Sequence, residues 1–204
     1  MKKSNMITWI LSILIAIIYI IMTILSLAKY PESFSPISNW LSDLGNRIVN
    51  PVGSIFYNAG IYITGSLLAL FFLSLGNNRM QGKKAQNIML LLTQVIGIFG
   101  SIAMIMTGIF SIEDPQTHSL FSAILRISLG TAFGFSVAAF LYHKEFKKWI
   151  LIIGVITTLT DLFVSVLYNK THLLEWPVIS LFLIYCLLLG NETYRLGKLK
   201  NSIL

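Results

Sequence analysis

The sequence predicts an all-α membrane protein, a polytopic bundle of six transmembrane helices, and its composition and its apolar runs both point that way. Of its 204 residues, 55% are hydrophobic and 11% are charged, whereas a soluble domain has about 25% charged residues. The hydrophobic residues form six runs, most of them near the roughly 20 residues that cross a bilayer as a helix. Backbone groups in lipid must bond internally and the runs lack the alternation of barrel strands, so we expect helices.

The six runs predict one domain that covers residues 1–204. The expected spans are residues 7–28, 53–75, 88–110, 119–142, 149–168 and 177–190, and the last, the shortest, is expected to extend further. The first run follows Lys2 and Lys3 and so imitates a secretory signal. It is longer than the apolar core of such a signal, about 15 residues, which favours an uncleaved helix.

The basic residues predict the orientation in the membrane. Eleven Lys and Arg residues lie at the two termini and in the second and fourth loops, and three lie in the first, third and fifth loops. Cytoplasmic loops carry the excess of Lys and Arg. We therefore expect a cell-membrane protein with both termini in the cytoplasm.

The first outer loop, residues 29–52, is the longest connection and is expected to be structured. Its prolines punctuate it, while Ile37, Trp40, Leu41 and Leu44 recur at helical spacing. This pattern predicts a short amphipathic helix on the outer surface, with Trp40 at the level of the lipid headgroups.

Small residues indicate where helices touch. Gly130 and Gly134 form a Gly-x-x-x-Gly pair in the fourth span, and Gly97 and Ser101 form a similar pair in the third. Such pairs let helix backbones approach closely. We expect packing within the bundle rather than a dimer interface, and the oligomeric state stays open.

Arg126 and Asp161 are the fully charged residues within the predicted spans, on the fourth and fifth. Each lies about seven positions from the outer end of its span, a depth of roughly 10 Å. A lone charge there costs about 3 kcal/mol or more, so an ion pair between them is expected. The pair could be purely structural or part of a binding site.

Other polar residues cluster toward the same outer side and would line a cavity that opens to the outer leaflet. The candidate binding residues are Asp43, Asn50, Asn58, Glu113, Asp114, His118, Arg126, Asp161 and His172.

The sequence assigns no catalytic residue and implies no cofactor. Glu113, Asp114, His118, His172 and Glu175 include acceptable ligands for a divalent metal. The two outer histidines have no HExxH spacing, so no metal site is assigned. The single cysteine, Cys186, excludes an intramolecular disulfide, and basic clusters between apolar runs exclude a nucleic-acid surface.

Two segments carry a resemblance to a known family. Residues 38–45, Ser-Asn-Trp-Leu-Ser-Asp-Leu-Gly, followed by Asn50-Pro51 and Phe56-Tyr57-Asn58-Ala59-Gly60, resemble the prokaryotic domain-of-unknown-function family 998. The run 108–110 with Asp114 and His118 resembles its junction between the third and fourth helices. The pattern is more distantly similar to the eukaryotic damage-regulated autophagy modulator and Sfk-type family, which implies roles in lipid remodelling, phospholipid asymmetry or autophagy.

These observations leave three functions open. The first is the handling or sensing of a lipid through the outward cavity, with membrane lipids as partners and with enzymatic activity undecided. The second is a noncatalytic scaffold or regulator, in which the polar groups join the loops to the bundle. The third is a small transporter, although no internal repeat or mid-span proline supports it.

Overall fold

The computed structural model describes residues 3–167 and 172–202 and is all-helical over those residues. Its six long helices are α1 (Lys3–Leu27), α2 (Gly53–Leu75), α3 (Lys84–Ile109), α4 (Pro115–Leu141), α5 (Lys148–Leu167) and α6 (Glu175–Ser202). Three short 3-10 helices are Leu41–Gly45, Gly76–Asn78 and His172–Leu174. Lys2, Lys170 and the predicted end of the fifth span at residue 168 lie outside the described residues.

The prediction of an all-α membrane bundle is confirmed. Five helices of the described chain, α1, α2, α3, α4 and α6, are long and apolar enough to cross a membrane. For α5 the crossing stays a prediction. Large apolar side chains cover the outside of the bundle, for example Phe163 at 63% exposed, Ile127 at 61% and Leu73 at 58%. Such a surface needs lipid around it.

The helices form a closed ring. Each helix packs against its neighbours in the chain, and α6 returns to pack against α1. At that closure, a Cβ on Gly190 would lie 2.2 Å from Ser12 Oγ, so only glycine allows this approach. The Gly130 and Gly134 pair faces Asp161 and Thr158 of α5, which confirms packing within the bundle.

Four helix ends differ from the predicted spans by a turn or more. Helices α1 and α3 each begin four residues before the predicted start, and the other two ends are the start of α4 and the end of α6. Helix α4 begins one turn earlier than predicted, because Asp114 caps it by accepting from Thr117 N and Pro115 occupies its first turn. Helix α6, expected to be the shortest, has 28 residues. The apolar run ends near residue 190, but Glu192 and Arg195 pair with each other, so the polar continuation stays helical.

The first loop is structured, but the predicted surface helix is wrong. A 3-10 helix, Leu41–Gly45, hereafter the plug helix, is inserted among the long helices. Leu41 is 2% exposed and Leu44 is fully buried, whereas Ile37 is 74% exposed. Burying two leucines inside the bundle is more favourable than spreading all four apolar residues on the surface.

The opposite end of the bundle is closed by buried polar groups. Asn5 Nδ2 donates to the Thr193 carbonyl at 3.0 Å and so links α1 to α6. Glu192, 1% exposed, accepts from Lys147 N at 2.9 Å and pairs with Arg195. These contacts fix the loop between α4 and α5 against α6.

Candidate functional site

The ring of helices encloses a central cavity of about 150 Å³. Residues of all six helices and of the plug helix line it. Its polar lining includes Asn58, Thr64, Thr107, Ser111, His118, Ser122, Arg126 and Glu175, and its apolar lining includes Ile15, Leu68, Leu125, Leu129, Phe133 and Cys186.

The cavity is polar at one end and apolar at the other. Along α4, the lining changes from His118 through Arg126 to Phe133. Along α2 it changes in the same direction, from Asn58 to Leu68. The polar end is the one that carries the first, third and fifth loops, hereafter the loop-one end. The cavity therefore has the polarity of an amphipathic molecule.

Aromatic rings close the apolar end. Phe133, 1% exposed, contacts Phe72 with ring centres 5.8 Å apart and Tyr185 with centres 5.0 Å apart. Tyr185 in turn forms a hydrogen bond of 2.9 Å with Ser136. These three rings are fully buried or nearly so, and they form an apolar floor.

His118 lies at the polar end with one edge of its ring fixed. It is 7% exposed, and its Nδ1 lies 2.9 Å from the Phe110 carbonyl oxygen. A carbonyl only accepts, so Nδ1 carries the proton in this contact. In the neutral ring Nε2 is then the acceptor on the remaining edge.

Arg126 lines the cavity one turn nearer the loop-one end than Asp161. The Asp161 carboxylate lies against Gly130, where a Cβ would be 2.2 Å from Oδ2. Gly130 follows Arg126 by four positions, roughly 6 Å along α4. The prediction of equal depth is therefore wrong, because α4 and α5 pack so that the Asp161 carboxylate meets Gly130, one turn beyond Arg126.

Arg126 and Asp161 interact electrostatically across the interface of α4 and α5. The predicted direct ion pair between them is not seen. Among the described residues, the ion pair with its nitrogen and oxygen atoms within 4 Å joins Arg195 and Glu192. Asp161, 1% exposed, is held between the helices, whereas Arg126 faces the cavity.

Two hydroxyl groups of the lining lack a partner within the described chain. Thr64 Oγ1 and Ser111 Oγ are buried and form no hydrogen bond there. Their residues are 2% and 5% exposed. A buried hydroxyl without a hydrogen bond is costly, by about 1–3 kcal/mol. Both hydroxyls can donate to a bound group.

The plug helix is held at the mouth of the cavity by side chains from α2, from the residues just before it, and from α6. Asn50 Nδ2 donates to Leu44 O at 2.9 Å, and Asn58 Nδ2 donates to Gly45 O at 2.9 Å. Glu175 Oε2 accepts from Leu41 N at 2.7 Å. Asn50 and Asn58, both predicted as binding residues, thus hold the first loop, although Asn58 also lines the cavity.

Asp43 and His172 lie on the loop side of the plug helix and not in the cavity lining. Asp43 Oδ2 accepts from Trp40 N at 2.8 Å. Partial burial raises the pKa of Asp43 above its ordinary value, against the opposing effect of that hydrogen bond and of the nearby His172 and His118. His172 contacts the Trp40 ring, with ring centres 4.1 Å apart.

Glu113 and Asp114 are exposed and serve the loops. Glu113 accepts from Arg47 N, which joins the third loop to the first. Asp114 caps α4, and hydrogen bonds from the side chain and backbone of Thr117 hold its pKa below the ordinary value. Neither residue reaches the cavity, so neither is a binding residue of that site.

Of the nine predicted binding residues, Asn58, His118 and Arg126 line the cavity.

Thr64 and Ser111 also line the cavity but were not predicted, because single hydroxyl residues in or beside apolar helices are common. They could have been recognised from the sequence only as residues that face the same space as Asn58 and Arg126. That requires knowing which helices are neighbours in the ring. Glu175 was considered only as a metal ligand. Within the described residues, no group of three or more His, Cys, Asp or Glu side chains could hold a metal ion.

The fold and the cavity define a multi-pass helical membrane protein with a central, plugged, amphipathic cavity. A family model described as a protein of unknown function, DUF998, matches residues 13–191. The chain belongs to the DUF998 family, as the motifs in loop one and α2 predict. Searches of curated proteins and of solved structures find no match. The more distant similarity to the autophagy modulator and Sfk-type family stays a prediction.

Proposed function

We propose that this protein binds one amphipathic lipid in its central cavity. The observation that carries the proposal is the lining, which is polar beside His118 and Arg126 and apolar around Phe133. Binding would place a headgroup at the loop-one end and a hydrocarbon chain against the aromatic floor. Burial of the chain contributes about 0.8 kcal/mol for each CH₂ group.

The size of the cavity favours a single chain. Its volume of about 150 Å³ is near that of an engineered apolar cavity that takes up benzene. Leu129 and Phe133 lie roughly 5 Å and 10 Å below Arg126 along α4, so the apolar part is shorter than half of a bilayer core, about 15 Å. One chain, or part of one, fills this space.

We also propose that the loop-one end faces outward in the cell membrane and that both termini are cytoplasmic. The excess of Lys and Arg in the second and fourth loops and at the termini supports this orientation. The lipid would then enter from the outer leaflet, past the plug helix.

Cysteine labelling tests the orientation, because the native Cys186 is 2% exposed and should not react. Ile37→Cys should react with an impermeant maleimide in intact cells. Asn77→Cys, at an exposed position of the opposite end, should react only after lysis. The reverse pattern would overturn the orientation.

Native mass spectrometry of the full chain tests lipid binding. Leu125 is a partly buried residue of the lining, and Leu125→Trp would fill the cavity. Ile127→Trp is the matched control, because Ile127 is 61% exposed on the outside of the same helix. The wild type and the control should retain a lipid of defined mass and Leu125→Trp should lose it. Equal retention in all three would overturn the proposal.

A noncatalytic scaffold is the second candidate, and the plug helix favours it. Asn50, Asn58 and Glu175 hold the plug helix, and Glu113 joins two loops. A scaffold would keep its function in the double variant Arg126→Met with Asp161→Leu. Lipid binding at Arg126 predicts that this variant loses the bound lipid.

A further inference from the structure

We propose that Phe133 sets the length of the hydrocarbon chain that the cavity accepts, at about eight carbon atoms below the level of Arg126. The cavity would then select an amphiphile with one medium-length chain over chains that span a whole leaflet, about 15 Å. This chain limit rests on the proposed function, because it presupposes an amphiphile bound with its chain toward the aromatic floor.

The distance from the polar end to Phe133 gives this length. Phe133 contacts Phe182 of α6 with ring centres 5.4 Å apart, so the two helices are in register at this depth. Arg126 and Glu175, each seven positions nearer the loop-one end, line the cavity at a common level roughly 10 Å from that contact. An extended chain advances about 1.2 Å for each bond, as an extended backbone does, so about eight carbons fill the distance.

The floor at Phe133 is closed because two further rings occupy space left by glycines. The Phe72 ring lies against Gly97 of α3, where a Cβ would overlap it. The Tyr185 ring lies against Gly154 of α5, where a Cβ would come within 2.6 Å of its Cζ. Both rings are fully buried and contact Phe133. Rings and glycines from five helices therefore form one packed layer that ends the cavity.

Phe133 is the ring of this layer that the end of a chain would meet. It is the deepest residue of α4 in the cavity lining, whereas Phe72 and Tyr185 lie behind it. Phe72, Phe182 and Tyr185 surround its ring, and Tyr185 is itself fixed by a hydrogen bond to Ser136. In a close-packed interior a ring held in this way cannot turn aside without displacing its neighbours. Phe133 therefore acts as a fixed stop.

A series of straight-chain alkanols tests the limit in the full chain, reconstituted in nanodiscs of one neutral lipid. Butanol, hexanol, octanol, decanol and dodecanol are titrated by calorimetry, and each dissociation constant is expressed as the mole fraction of alkanol in the bilayer. This reference removes the gain of about 4-fold in affinity that each CH₂ group makes on leaving water. Affinity should be nearly constant up to octanol. Dodecanol should bind about 10-fold or more weakly, because its surplus CH₂ groups find no apolar space above Phe133.

Substitutions at two depths should move the limit in opposite directions. Phe133→Ala removes the stop, so dodecanol should bind about as tightly as octanol. Leu129 is a buried lining residue one turn nearer the loop-one end. Leu129→Phe raises the floor, so it should weaken octanol about 10-fold or more and leave butanol unchanged. It carries the test if Phe133→Ala does not fold.

Phe135→Ala is the matched control, because Phe135 is a partly buried residue of the same helix outside the cavity lining. It removes an aromatic ring from α4 without opening the floor. Its limit should stay at octanol, as in the wild type.

The outcomes distinguish the chain limit from the proposed function. Dodecanol bound as tightly as octanol by the wild type would overturn the limit and leave lipid binding intact. An unchanged limit in folded Phe133→Ala, or in Leu129→Phe, would also overturn it. No binding of any of the alkanols would overturn the proposed function as well.

Discussion

Replacing Asn50 with alanine should release the first loop while the helices stay assembled. Asn50 is fully buried, and its amide donates to Leu44 O at 2.9 Å and to Ser26 Oγ at 3.0 Å. Its Oδ1 accepts from Gly53 N at 3.1 Å, at the start of α2. One side chain therefore joins the plug helix, α1 and α2.

The expected loss follows from these three contacts. Leu44 O still accepts from Ser26 Oγ at 3.1 Å after the substitution, so that carbonyl stays satisfied. Gly53 N–H loses its partner in a buried place, which costs about 1–3 kcal/mol. With the other lost hydrogen bonds we expect the loop to open about 2 kcal/mol more easily, which is roughly a 30-fold larger open population.

Trypsin cleavage after Arg47 measures that opening. Arg47 is exposed within the first loop, but its backbone N donates to Glu113, so cleavage requires the loop to leave this contact. The initial rate at this bond, followed by mass spectrometry, should rise roughly 30-fold in Asn50→Ala. Asn77→Ala, an exposed asparagine at the opposite end, is the control. A change below about 3-fold would refute the role of Asn50 in holding the plug helix.

Three further predictions concern the helix interfaces and the loops. Gly130→Ala should destabilise the bundle by about 1–3 kcal/mol in thermal unfolding, because the new Cβ would lie 2.2 Å from Asp161 Oδ2. Gly134→Ala is the control and should be near neutral, because its Cβ would lie 3.6 Å from the nearest side-chain atom. Because burial raises the pKa of Asp43, stability should fall as pH rises above the ordinary carboxyl range, and melting curves of Asp43→Asn should lack that fall. Glu192→Leu should cost about 2 kcal/mol in the same assay, since Lys147 N loses its acceptor.

The predicted helix positions agree with the structure where the apolar runs end abruptly. The start of α2 at Gly53 is an example, since Pro51 precedes it. The start of α4 was misplaced because Asp114 and Pro115 form a cap that hydropathy does not register. The length of α6 was underestimated because Glu192 and Arg195 pair within the helix, so its polar end stays ordered.

The candidate site was predicted in part, for a physical reason. A charge in an apolar run is costly unless it is enclosed, so Arg126 stood out, and the structure places it in the cavity lining. Asn50 and Asn58 also stood out as polar residues, but sequence spacing does not distinguish an amide that binds a ligand from one that holds a loop. Their bonds to the plug helix decided that.

The sequence by itself determined that the bilayer is the solvent of this chain, that the chain is helical, and that its polar side chains gather toward one end. These properties depend on local composition, which each helix carries on its own. Only the tertiary structure decided which polar groups meet, because Thr64, Ser111 and Arg126 come from different elements and face one cavity only when the ring closes. The tertiary structure also placed the plug helix at that cavity, where Leu41 and Leu44 are buried and Leu41 N donates to Glu175 at the start of α6.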